Sequence, residues 1–196
     1  MKYELVKTDT KQFAGKTLYR IKALIAIGLY VSAGDLGGYI EAENNLSQSG
    51  NAWVHGNAQV YGNARVYGDA RVYGDARVYG DAWVTGNAQV YGNAHVYGNA
   101  RVYGDAWVHG NAHVYGNARV QNHKTWLLMG PAKSSGRFTT AFVDEKIGVR
   151  VVCGCFTGSV LEFSQQIEKT HANNEEALEQ YRLFCQLIAF NFGVTA

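Results

Sequence analysis

The side chains of this chain that could do chemistry are its histidines, its three cysteines and a set of regularly spaced arginines and tryptophans. His95, His109 and His113 lie close together in sequence, and zinc or general-base chemistry is the first reading of such a group. Zinc needs three or four ligands converging at about 2.0–2.1 Å, so the backbone must aim them at one point. Cys153 and Cys155 form a Cys-x-Cys pair with no second pair, although His171 and Cys185 follow. Two positions apart on a strand, both thiols would face the same side. Without a second pair they read as structural cysteines rather than a metal or redox centre. No nucleophile–base set, phosphate-cradling loop or carboxylate pair stands out, so no catalytic residue, cofactor or metal is expected. What remains is recognition chemistry. Arg65, Trp83, Arg101 and Arg119, with Trp53, His55, Trp107 and His109, are the candidate binding residues, since Trp, Tyr and Arg are enriched at binding hot spots.

All eight sit in one repeat that runs from Gly50 to Val120. Written from its glycine, the unit is Gly, Asn or Asp, Ala, a variable residue, Val, then usually Tyr. Glycine recurs every six residues from Gly50 to Gly116, alanine from Ala52 to Ala118 and valine from Val54 to Val120, twelve copies without insertion or deletion. Self-similarity at a short fixed period marks a solenoid. Ala and Val are separated by one residue, so both point to the same side of a short strand. Glycine tolerates positive φ, and Asn or Asp visits the left-handed region readily, so Gly-Asn and Gly-Asp make the corner.

Read from its valine, as in Val72-Tyr73-Gly74-Asp75-Ala76-Arg77, the unit resembles the hexapeptide repeat of left-handed parallel β-helices. The resemblance covers roughly residues 38–121. It implies three hexads per triangular coil, about eighteen residues a turn, and an interior filled by valine and alanine. The left-handed winding it implies runs against the usual crossover rule. It also implies a homotrimer associating through flat faces. The stretch Ala33-Gly34-Asp35-Leu36-Gly37-Gly38-Tyr39-Ile40, followed by Asn45-Leu46-Ser47-Gln48, resembles the entry segment of a transferase-like group of bacterial and phage hexapeptide-repeat proteins. Acyltransferases of this fold generally throw a loop out of the coil, with a catalytic histidine near it. Gly50 to Gln121 has no such interruption. Carbonic-anhydrase-like members bind zinc through histidines of neighbouring subunits, whereas a regular outward ladder here would hold its side chains parallel.

Sorting the outward residues by eighteen gives three faces. The first bears Trp53/His55, Arg71/Tyr73, Gln89/Tyr91 and Trp107/His109. The second bears Gln59/Tyr61, Arg77/Tyr79, His95/Tyr97 and His113/Tyr115. The third bears Arg65/Tyr67, Trp83/Thr85, Arg101/Tyr103 and Arg119/Gln121. Vertical neighbours stand about 4.8 Å apart, which lets tyrosines stack and sets Trp83 between Arg65 and Arg101 at cation–π distance. The third face has no acidic residue at its outward strand positions. Its arginines repel unless the corner residues Asp69, Asp81 and Asp105, or an anionic partner, neutralise them.

The flanks differ from the repeat. Residues 1–32 read as an N-terminal β cap, with strands Lys2–Lys7 and Thr17–Ile27 bounded by Asp9-Thr10 and Gly15. Tyr19, Ile21 and Leu24 are its expected core, because a solenoid end exposes apolar interior and unpaired backbone. The solenoid spans 33–122. Carrying its register backwards puts Ile40 and Leu46 at alanine positions, and Ala42 and Gln48 at valine positions. Residues 123–196 read as an α+β domain with strands Thr125–Met129, Arg137–Val143 and Gly148–Phe156. Ser159-Val160-Leu161-Glu162 is a capping box opening a helix over Val160–Lys169. Asn173 or Asn174 caps a second helix, along which Leu178, Tyr181, Cys185 and Ile188 recur at helical spacing. The phrase from Val152 to Gly158, with Leu161-Glu162-Phe163 and Thr170-His171, resembles a small domain of phage and prophage proteins. The fold class is therefore mainly β: a left-handed parallel β-helix with an N-terminal β cap and a C-terminal α+β domain.

Composition sets the remaining bounds. The 196 residues carry a net charge of +2, too near neutral to argue for nucleic acid on charge alone. Met1–Phe13 has no apolar signal core, and Ala23–Val31 is about half the length a membrane crossing requires. Three cysteines without a dense framework fit a reducing compartment. A cytoplasmic protein with no membrane association is expected, in the host cytoplasm if phage-encoded. The expected function is non-catalytic binding or assembly, with a rigid trimeric β-helix presenting the C-terminal module to a partner macromolecule. A protein partner comes first and nucleic acid second. The rival readings are an acyltransferase-like enzyme using His95, His109 or His113, and a phage inhibitor of a bacterial defence system.

Overall fold

The computed structural model describes residues 1–195. The twelve repeats form twelve two-residue strands, β4 (Trp53–Val54) to β15 (Arg119–Val120), each ending on its valine. Every strand lies parallel to the third strand along: Val54 pairs with Val72, Val72 with Val90 and Val90 with Val108, a step of eighteen residues. The result is a parallel β-solenoid of about five turns with three faces. The alanine and valine columns are buried from Ala52 to Val120 and form one continuous core. Each buried valine contributes about 1.5–3 kcal/mol of burial. Coil-to-coil backbone bonds, such as Arg77 N to Ala94 O at 2.9 Å, repeat along the whole length. The corner glycines are required twice over. Gly74 has φ +70°, and a Cβ there would fall 3.0 Å from the backbone nitrogen of Gly92 in the next coil. The residues after these glycines also bind along the column: Asn51, Asn63 and Asn87 donate to Asp69, Asp81 and Asp105 at 2.7, 2.9 and 3.0 Å.

The N-terminal end is closed by a hairpin of β1 (Tyr3–Phe13) and β2 (Lys16–Ala23), followed by β3 (Leu36–Ile40). The hairpin loop is two residues, Ala14 and Gly15, both with positive φ as a tight primed turn demands. β1–β2–β3 extends the second face of the solenoid into a seven-stranded sheet. β1 does not stop at Asp9-Thr10 as expected; it crosses an irregularity between Val6 and Thr10 and continues. Asp9 lies within that irregularity rather than in a turn, its carboxylate accepting from Arg20 Nε at 2.6 Å and Tyr39 OH at 3.1 Å. β2 ends at Ala23, and Leu24, expected in the cap core, is 41% exposed.

The entry coil corrects the backward register. Ile40 pairs with Val60 and Leu46 bridges Val66, a step of twenty positions, so both stand in the valine columns rather than the alanine ones. The two extra residues are taken up between Leu46 and Val54. Gly38 then occupies an alanine position, where any Cβ would lie 2.6 Å from Ala58 O. Beside Leu46, the buried Asn45 closes the backbone edge. Its Nδ2 donates to Gly62 O and Ala64 O, both at 2.9 Å, and its Oδ1 accepts from Ala42 N at 2.9 Å.

The other end is closed by an antiparallel sheet of β16 (Trp126–Met129), β17 (Thr139–Asp144), β18 (Gly148–Cys153) and β19 (Phe156–Ser159). Alternation splits its side chains between two cores. Trp126, Phe142 and Val152 join the solenoid core, while Met129, Ala141, Val151 and Cys153 pack under the helices. The junction is also hydrogen-bonded: His113 N donates to Thr140 Oγ1 at 3.2 Å and Gln121 N to Thr125 Oγ1 at 2.9 Å. α1 (Val160–Thr170) begins at the expected capping box, with Ser159 N donating to Glu162 Oε2 at 2.7 Å. α2 (Glu175–Phe192) is capped by Asn174, and Leu178, Tyr181, Cys185 and Ile188 are buried. The expected single strand Gly148–Phe156 is in fact two, because the chain turns at Gly154-Cys155 and returns as β19. Among the described residues, no helix is long and apolar enough to cross a membrane.

Candidate functional site

The third face holds the arrangement that most resembles a site. Coil stacking puts Arg65 beside Trp83, Trp83 beside Arg101, and Arg101 beside Arg119. The guanidinium carbons of Arg65 and Arg101 stand 5.9 and 4.6 Å from the Trp83 ring, within cation–π range on both sides. Tyr67 meets the same ring edge-on at 6.2 Å. Arg65, Trp83, Arg101 and Arg119, with Asn63, Asp81 and Asn99, line a groove of about 470 Å³. Arg65 and Arg101 are exposed and make no side-chain hydrogen bond or ion pair among the described residues. Arg119 is different. Glu145, from the turn after β17, takes its Nε at 2.5 Å and its Nη2 at 2.7 Å. The face, whose outward strand positions hold no acidic residue, thus receives one from the C-terminal unit, and Arg119 forms an ion pair with it at the groove's end. The corner aspartates accept from asparagines and form no ion pair with these arginines among the described residues.

The four candidates on the first face do not come together. Trp53 is 1% exposed, held edge-on to Tyr3 at 6.2 Å, and belongs to the core under the N-terminal cap. The hairpin that buries it could not be foreseen from the repeat, which makes this position outward. His55 packs against Trp53, and burial, with Arg71 adding to it, lowers its pKa. Trp107 and His109 lie at the opposite end of the column. Trp107 is 55% exposed, and His109 meets Trp126 edge-on at 5.1 Å beside a cavity of about 520 Å³.

The second face is an aromatic ladder. Tyr61, Tyr79, Tyr97 and Tyr115 stack at 5.0, 4.8 and 4.8 Å. His95 and His113 stand 4.9 Å apart in the adjoining column. Burial, then His113 and Arg77, pushes the His95 pKa down to about 4, so its imidazole is neutral near pH 7. His109 lies on another face. Among the described residues, no three His, Cys, Asp or Glu side chains are grouped as a metal would need. Cys153 is buried at the end of β18 and Cys155 is exposed in the turn, and both line one cavity beside the helices. Cys185 is buried, which raises its pKa to about 11.

Comparison with known proteins finds no match to the chain among curated proteins. Residues 58–73, 70–86 and 94–110 match the family model described as the YdcK beta solenoid repeat, so the central coils are similar to that repeat.

Proposed function

We propose that this protein is a non-catalytic binding protein whose third face takes a carboxylate-bearing segment of a partner protein. The observation that carries the reading is the row Arg65–Trp83–Arg101: two guanidiniums with no hydrogen-bond or ion-pair partner among the described residues, on either side of one indole in an open groove. A guanidinium matches a carboxylate bidentately, and an aromatic surface beside it adds contact area at low entropic cost. Arg65 and Arg101 lie two coils apart, about 9.6 Å by interstrand spacing. Carboxylates seven residues apart on a helix, about 10.5 Å, fit that interval. Asp81 also lines the groove and the net charge is only +2, which favours a carboxylate pair over a polyphosphate.

The hexapeptide resemblance supports adding threefold assembly to this reading, with the flat first face and its exposed Trp107 as the surface that copies would bury. The likeness of the entry segment and C-terminal unit to phage and prophage proteins supports a phage or prophage origin and a bacterial partner. The test is affinity capture from a bacterial lysate with the wild-type chain and an Arg65→Glu/Arg101→Glu variant. We expect the variant to fold normally and to lose the captured protein, with wild-type capture weakening as salt rises. Unchanged capture by the variant would overturn the assignment. Retention of nucleic acid instead, or saturable binding of acetyl-CoA in a calorimetric screen, would replace it with the nucleic-acid or acyltransferase reading.

A further inference from the structure

We propose that the C-terminal unit binds a small aromatic or branched aliphatic carboxylate, with the anion on Arg137 and the apolar part between β19 and the two helices. A cavity of about 320 Å³ opens there, walled by Phe156, Phe163, Ile167 and Tyr181, with Arg137 and Cys155 among its other lining residues. Its aromatic walls are fixed against one another. Phe156 and Phe163 lie 5.2 Å apart, and Phe163 meets Tyr181 edge-on at 6.0 Å. The polar atom of the Tyr181 wall is already occupied: its hydroxyl is 3.0 Å from Ser135 Oγ and accepts from Cys153 Sγ at 3.8 Å. The walls therefore ask a ligand for apolar surface.

Arg137 supplies the charge. Among the described residues no carboxylate lines the cavity, and the guanidinium makes no hydrogen bond or ion pair. It lies close over bare backbone. A Cβ at Gly154, which has φ +59°, would fall 3.0 Å from Arg137 Cδ and Nη1. Volume then limits the ligand. Ligand cavities run from about 300 to 1,000 Å³, so this one, at the small end of that range, suits a single ring or branched chain with a short acidic arm. This site lies apart from the third-face groove, and its test stands apart from that reading.

The experiment titrates the full-length chain with 3-phenylpropanoate and its neutral amide, 3-phenylpropanamide, by calorimetry. The rate of Cys155 alkylation by iodoacetamide gives a second readout, since Cys153 and Cys185 are buried. The acid should bind at least tenfold more tightly than the amide, as a charge-assisted hydrogen bond requires, and should slow alkylation saturably. Arg137→Gln should cost the acid at least tenfold and leave the amide unchanged, with Arg137→Lys recovering part of the loss. Equal binding of acid and amide, unchanged acid affinity in Arg137→Gln, or no protection of Cys155 up to millimolar acid would overturn the proposal.

Discussion

Replacing Phe142 by alanine tests whether the C-terminal sheet is the closing plug of the solenoid. Phe142 is fully buried, belongs to the solenoid core rather than the core under the helices, and meets Tyr115 edge-on at 6.2 Å. Truncating a buried phenylalanine costs about 3–5 kcal/mol in lost transfer energy and cavity. With an m-value of about 2–3 kcal/mol per molar urea, the unfolding midpoint should fall by about 1–2.5 M. The control is Phe190→Ala, whose side chain is 88% exposed on α2 and should change stability by no more than about 0.5 kcal/mol. Urea titrations would be followed by far-ultraviolet circular dichroism and by tryptophan fluorescence, which reports Trp126 among others. Because the sheet contributes side chains to both cores, the two signals should move together. A midpoint lowered by less than about 0.5 M would refute the plug. So would earlier loss of helix signal with the strand signal unmoved, since the sheet would then rest on its helices alone.

Asn45→Ala should cost about 2–4 kcal/mol, because the carbonyls of Gly62 and Ala64 and the amide of Ala42 all lose buried partners; a melting temperature within a degree of wild type would contradict that. His95 and His113 both have pKa values lowered by burial, His95 to about 4. The unfolded chain therefore takes up protons first, and stability complete above about pH 6.5 is lost as pH falls towards 4. The midpoint should drop from pH 7 to pH 5, and His95→Gln should shrink the drop; an undiminished drop in that variant would place the proton elsewhere. Multi-angle light scattering should give the mass of three chains, and Trp107→Glu should shift it towards one; a wild-type monomer at micromolar concentration would refute the assembly.

The outward columns, the Tyr and His ladders and the cation–π row through Trp83 are all legible in the sequence, because each coil's neighbour is a copy of itself. A six-residue phrase that repeats without interruption specifies its own vertical contacts. Local chemistry was equally readable where one turn of chain suffices, as in the capping box at Ser159 and the helical spacing of Leu178, Tyr181, Cys185 and Ile188.

What only the tertiary structure decided lies where the period breaks or where unrelated segments meet. The two extra residues before Val54 moved Ile40 and Leu46 into the valine columns, and no periodic extrapolation can locate an insertion outside the period. The turn at Gly154-Cys155 split one apolar run into a hairpin and left Cys155 exposed while Cys153 is buried. The burial of Trp53 by the N-terminal hairpin, and the pairing of Arg119 with Glu145 across 26 positions, are contacts between partners of different sequence. Repetition encodes a contact when both partners carry the same phrase. Where a cap closes an end, the partner is unique, and its position follows only from the folding of the whole chain.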